Sequence, residues 1–271
     1  MSTLRLERDG QVAWLWLNRP ERLNAFVPQM WDELREVGAQ LCADGEVRAV
    51  VVIGEGRAFS SGLDLSVFEG GNPLGDKVAD DAPPRHADPL VDRLLRVQDA
   101  FNWLEDAPFP TIAAVRGYAL GAGLQLALAC DIRVFAEGSS VGLLELRYGI
   151  MPDLGGTQRL PRLVGAGKAK ELVLTGARID ASEAHRIGLC ERLVPDDSLV
   201  AAAAALAADL AAQPPLAVRG AKRAIAVAGA GSRHDGLVLE AEGQAACLRS
   251  DDMREALAAL AEQRPPHYQG H

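Results

Sequence analysis

Four short apolar runs do most to restrict what this 271-residue chain can fold into: VAWLWLN (12–18), RAVVVIGEG (48–56), PTIAAVRG (110–117) and DIRVFA (131–136). Each has the length and content of a strand, and the second and third are apolar enough to be buried on both faces and stopped by glycine. Between the first two lies VPQMWDELREVGAQLCAD (27–44), with Val27, Met30, Trp31, Leu34, Val37 and Leu41 at helical spacing. Strand and helix patterns therefore alternate, and no Asn-Gly hairpin joins neighbouring strands. That order predicts an α/β layered fold built on crossover connections.

From about residue 196 the pattern turns almost wholly helical, interrupted at Pro214-Pro215 and at GAGSRHDG (229–236). The chain is thus expected to divide into a core over 1–195 and a helical region over 196–271, packed on its own core or on a neighbouring subunit. The alanine-rich LVAAAAALAADLAA (199–212) is too short to span a bilayer and carries Asp209, so it reads as an amphipathic helix. Residues 70–89, rich in Gly, Pro and Asp, form a long loop before a helix around 90–105, as a lid or a surface excursion. The start, MSTLRLERDG, enters a strand pattern at once and is not a signal peptide, which predicts a cytoplasmic location.

Composition narrows the partners. A formal net charge of −9 and a pI near 5.1 argue against nucleic acid and anionic membranes. A phosphorylated ligand would need local arginines and backbone donors. Cys42, Cys130, Cys190 and Cys247 form no CxxC pair, and no histidine pair has metal-ligand spacing. Reduced, mostly buried thiols and no metal are expected.

Two segments share one design, AVVVIGEGRAFSSGLDL (49–65) and TIAAVRGYALGAGLQL (111–126): a buried strand, then a glycine turn. Bare backbone N–H groups at such turns can approach a ligand closely, and two turns side by side could aim two donors at one oxygen. Tight turning alone would also explain the glycines. GAGLQL lacks the third glycine of a dinucleotide fingerprint, and FSSGLDL is not a GxSxG nucleophile elbow.

LNRPERLNAF (17–26), GEGRAFSSGLDL (54–65), RGYALGAGLQLALACDIRVFAEGS (116–139), LGGTQRLPRLVG (154–165) and LTGARIDASEAHRIGLCERLV (174–194) together resemble the successive signatures of the crotonase superfamily, the enoyl-CoA hydratase/isomerase family. The resemblance runs in order from about residue 5 to 195. It implies a spiral of β-β-α units with a C-terminal helical region that builds trimers, often paired as hexamers. It also implies an acyl-CoA thioester as substrate, with CoA entering as part of that substrate and no separate cofactor.

Residue by residue, the resemblance assigns the backbone N–H of Leu63 and of Ala122 as oxyanion donors, each worth on the order of ~3 kcal/mol to an enolate. Arg22 and Leu23, and the segment from Arg57 to Ser66 with Ser61, Asp64 and Leu65, fall where the family cradles CoA; Arg22 and Arg57 are the candidates for its phosphates. Of the two glutamates that hold a water in hydratases, one aligns with Glu145 and the other with Gln125. Asp153 stands where hydratases carry glycine and where dienoyl-CoA isomerases carry aspartate. Glu145 could instead point outward on a short helix, and Asp153 could cap the helix that follows. An amide cannot take a proton from water, whereas one carboxylate can move a proton between two carbons. The expected activity is double-bond isomerisation of an unsaturated fatty acyl-CoA by Glu145, alone or with Asp153. A weak hydratase and a non-catalytic acyl-CoA binder are the alternatives.

Overall fold

The computed structural model describes residues 3–69, 83–228 and 231–271; the part of the long loop over 70–82 lies outside them. The chain opens with β1 (Leu4–Asp9) and β2 (Val12–Leu17), then α1 (Pro28–Ala43), β3 (Ala49–Gly54), α2 (Ser66–Glu69) and α3 (Pro89–Asp106). It continues through β4 (Thr111–Val115), β5 (Tyr118–Leu120), α4 (Ala122–Ala129), β6 (Ile132–Ala136), β7 (Ser140–Gly142) and α5 (Gly156–Thr175). β8 (Ile179–Asp180), α6 (Ala181–Arg186) and β9 (Arg192–Val194) precede the last helices, α7 (Leu199–Ala211), α8 (Pro215–Val227), α9 (Arg233–Arg249) and α10 (Asp251–Glu262).

The large sheet has the order β1-β2-β3-β4-β6-β9 and is parallel from β2 to β9. β1 is the exception: it pairs with β2 in an antiparallel hairpin turned at Gly10-Gln11, where Gly10 takes φ +56°. With glycine first of the two turn residues, Gly10 alone supplies the positive φ that such a connection demands, so no Asn-Gly is needed. A second sheet, β5-β7-β8, stacks beside the first. Each pass leaves one strand in the large sheet and one in the small, then a helix: β4-β5-α4, then β6-β7-α5. Ser60 bridges Ala119, so the segment after β3 makes the same step. This is the β-β-α spiral, in a mixed α/β fold.

Both faces of the large sheet are covered, which is why its strands read as unbroken apolar runs. Val50 and Val52 of β3 face the core under α1, α3 and α4, with Phe26, Trp31, Phe101 and Leu104. Val51 and Ile53, pointing the other way, meet Leu199, Ala203, Leu206 and Ala207 of α7. The alanine-rich helix is therefore the second cover of the sheet, its small side chains letting it lie close. Among the described residues no single helix is long and apolar enough to cross a membrane. α8 and α9 cross closely where Gly220 faces Gly243, and neither buries a residue within the monomer.

Candidate active site

The two glycine turns meet edge to edge. Ser60 N donates to the Tyr118 carbonyl at 2.8 Å and Leu120 N to the Ser60 carbonyl at 3.0 Å. A Cβ at Gly123 would stand 2.7 Å from the Ser60 carbonyl oxygen, and one at Gly62 2.8 Å from that of Leu120. Gly62 (φ +98°) and Gly121 (φ +50°) also need backbone conformations that side chains strain. Close approach, and not turning alone, requires these glycines.

That approach brings Leu63 and Ala122 to the border of one space. The bridge between Phe26 and Leu63 uses Phe26 N to the Gly62 carbonyl and Asp64 N to the Phe26 carbonyl, so the N–H of Leu63 takes no part in it. Ala122 heads α4, where the first N–H groups of a helix have no partner within it. Leu63 and Ala122 line the same cavity, of about 1110 Å³.

Arg22, Leu23, Ser61, Asp64 and Leu65 line that cavity too, and so do Gln125, Glu145 and Asp153. Arg57 does not; it is exposed on the outer side of its turn. Leu23 and Asn24 both lie in the left-handed region, at φ +49° and +54°. The buried Asn24 holds this bend: its Nδ2 donates to the carbonyls of Glu55 and Ala58, and its Oδ1 accepts from Arg19 N. Arg19 in turn pairs with Asp64 at 3.1 Å, and bonds from Ser66 with this pair hold the Asp64 carboxyl below its usual range. Sequence reading missed Asn24 as a scaffold. The remaining wall comes from Trp31, Leu94, Val97, Tyr118, Tyr148 and Arg178, which only the fold gathers.

Glu145 opens a single 3₁₀ turn, Glu145–Tyr148, and is 8% exposed; it faces inward, not out. Its Oε1 accepts from Gln125 Nε2 at 2.8 Å, while its Oε2 is buried without a partner among the described residues. Burial pushes the Glu145 carboxyl up; the Gln125 bond opposes this and the nearby Asp153 charge adds to it. Burial likewise raises Asp153. Asp153 is no helix cap, because the N-cap of α5 is Gly155, which takes a left-handed φ of +90° and needs no side chain. The Asp153 carbonyl accepts from Gln98 of α3 at 2.6 Å, which fixes the segment against the cavity. Two carboxyls with raised proton affinity thus share one cavity, as acid–base work needs.

Both ends of the Gln125 amide are engaged. Besides donating to Glu145, its Oε1 accepts from Leu154 N at 2.8 Å and Gly156 N at 2.9 Å. A Cβ at position 156 would lie 2.9 Å from that oxygen, so the LGG sequence there gives the amide its room. Elsewhere the thiols are unpaired, Cys130 and Cys190 buried but Cys42 exposed and Cys247 half-buried, fewer buried than expected. Among the described residues no group of three His, Cys, Asp or Glu could hold a metal ion.

Comparison with known proteins shows the family. The family model for enoyl-CoA hydratase/isomerase matches residues 7–271. The short-chain-enoyl-CoA hydratase of Clostridium acetobutylicum is 34% identical over 97% of this chain and 96% of its own. An enoyl-CoA hydratase from Bacillus anthracis superposes with a TM-score of 0.89 at 35% identity, covering 99% and 100% of the two chains. A Thermobifida fusca structure in complex with acetoacetyl-CoA gives 0.80 at 41%, covering 96% of each. With the β-β-α spiral and the cavity it encloses, these matches make the chain an acyl-CoA enzyme of the enoyl-CoA hydratase/isomerase family, within the crotonase superfamily.

Proposed function

We propose that this enzyme moves a double bond along an unsaturated fatty acyl-CoA. The thioester oxygen lies between Leu63 N–H and Ala122 N–H. Glu145 Oε2 takes a proton from C2 of a 3-enoyl thioester, and the electron pair spreads onto that oxygen as a dienolate. The same carboxyl returns the proton at C4, so the double bond passes from C3–C4 to C2–C3 with no atom gained or lost. For a 3,5-dienoyl thioester the proton must reach C6, and Asp153 offers the second carboxyl. Arg22 on the cavity wall and Arg57, exposed outside it, are the candidates for the CoA phosphates, with Leu23, Ser61, Asp64 and Leu65 along the CoA path. The chemistry draws on no metal or redox group.

One observation carries the choice of isomerisation: Gln125 touches Glu145 directly, at 2.8 Å. That contact leaves no room between the two side chains for a water, and the amide cannot act as its base or acid. The names of the relatives favour a second reading, hydration of a 2-enoyl-CoA. An absorbance assay with 2-enoyl-, 3-enoyl- and 3,5-dienoyl-CoA separates them: turnover of either of the last two is expected. Rapid hydration of the first with the others untouched would sink isomerisation, and gain of hydration by Gln125→Glu would support the account of the missing acid.

The same reading includes a homotrimer or homohexamer. Ile225, Leu237, Leu248, Leu257 and Leu260 are at least half exposed on α8, α9 and α10, more apolar surface than a monomer usually leaves in water. Sedimentation of the purified protein should give a species of three or six chains; a monomer would overturn this part.

A further inference from the structure

We propose that Gln125 is a positioning residue that keeps Oε1 of Glu145 a permanent hydrogen-bond acceptor, so that every proton Glu145 carries passes through Oε2. This rests on Glu145 being the acid–base group of the reading above.

The orientation of the amide follows from its surroundings. Leu154 N and Gly156 N can only donate, and both point at one atom of the Gln125 amide, which must be the oxygen. The other atom is then the NH₂ group, and it lies 2.8 Å from Glu145 Oε1. An NH₂ group offers no lone pair, so Oε1 accepts whether Glu145 is charged or neutral. The proton of neutral Glu145 has only Oε2 left, and that oxygen is buried with no partner among the described residues. Three segments meet in this one side chain: α4 supplies it, the 3₁₀ turn supplies Glu145, and the start of α5 fixes the amide. The arrangement chooses between two otherwise equivalent carboxylate oxygens and aims one of them.

A glutamate at 125 separates this role from plain scaffolding. Its carboxylate can still accept from Leu154 N and Gly156 N, but toward Glu145 it presents a second acceptor where a donor stood. The contact then survives only by trapping a proton between the two side chains, which raises the proton affinity of the pair. Gln125→Leu removes the donor to Glu145 and, with it, the oxygen that accepts from both backbone N–H groups. The other charged or titratable groups that share the cavity with Glu145 are Arg22, Asp64, Tyr118, Tyr148, Asp153 and Arg178, and neither substitution alters them.

The experiment is a ¹³C-NMR titration of glutamate-labelled free enzyme, with the Glu145 signal assigned from its loss in Glu145→Gln. Wild type and Gln125→Glu are compared, with Gln125→Leu added if it folds. The titration of Glu145 should move upward by about a unit or more, a tenfold change in proton affinity, in Gln125→Glu, and upward in Gln125→Leu. The acid limb of kcat/KM against pH should follow. An unchanged Glu145 titration in Gln125→Glu would reduce Gln125 to a scaffold and overturn the proposal. The titration needs no substrate, so it can succeed even if the isomerase assay fails. A shifted titration with no turnover would strike the activity alone.

Discussion

The two ends of α4 hold buried polar groups under opposite terms. At its C-terminal end Asp131 Oδ2 accepts from Thr111 N at 2.8 Å, from Thr111 Oγ1 at 3.0 Å and from Lys222 Nζ at 2.7 Å. Arg133 there donates to the carbonyls of Leu189 and Cys130 and pairs with Glu191, a cation where the helix dipole favours one. The neighbouring Cys130 thiol is pushed up to about 12 by burial and is inert. At the N-terminal end the N–H of Ala122 stays outside the turn's own bonds and Glu145 Oε2 has no partner among the described residues. Satisfied groups hold a structure together, whereas unsatisfied ones in a cavity are held in readiness for a ligand.

Substitutions at each end should therefore register in different measurements. Glu145→Gln is expected to lower turnover by about 10²–10⁴-fold, with urea unfolding unchanged or slightly improved, since a buried unpartnered oxygen costs stability. A variant that unfolds early would break the contrast. Ala122→Pro removes one donor while suiting the first position of a helix, and should cost about 10²–10³-fold in kcat. Asp131→Asn should leave the cavity chemistry within a few-fold but destabilise the fold by about 3 kcal/mol, because Lys222 loses its charge partner while mostly buried. Urea titration reads this, and equal losses of activity at both ends would dissolve the distinction.

The same contrast explains what could be read from the chain before its fold. Strand runs such as AVVVIG and the helix over 27–44 carry their periodicity in neighbouring residues, so their boundaries lie within two residues of those observed. The glycine turns were legible because close backbone approach admits no other residue. Three features were not. Asn24 looks like any loop asparagine until Glu55 and Ala58 are folded against it. α7 shows helix-forming alanines, but that it covers the large sheet depends on a surface assembled from β2, β3, β4 and β6. The Gln125 contact is a tertiary fact: its partners at 145, 154 and 156 are 20 to 31 residues away. Sequence comparison could mark the amide as unusual, yet only distances show that it donates to one carboxylate oxygen and spares the other.

The pH dependence offers the finest test of the reactive end. Burial raises both the Glu145 and the Asp153 carboxyl, so each folded pKa lies above its unfolded value. Between those two values the folded state binds more protons than the unfolded, and stability contributed by these groups falls as pH rises through that window. Under the proposed chemistry activity should run the other way, because only ionised Glu145 can take a proton. The acid limb of kcat/KM should therefore lie above the ordinary carboxylate range. Asp153→Asn removes the negative charge that adds to the Glu145 shift, so it should move that limb to lower pH by a fraction of a unit, roughly 0.3–1. Asp131→Asn, at the other end of α4, should leave it in place. An upward shift in Asp153→Asn would mean that Asp153 acts on the proton itself and not only through its field, and would give the two carboxyls equal parts in the chemistry.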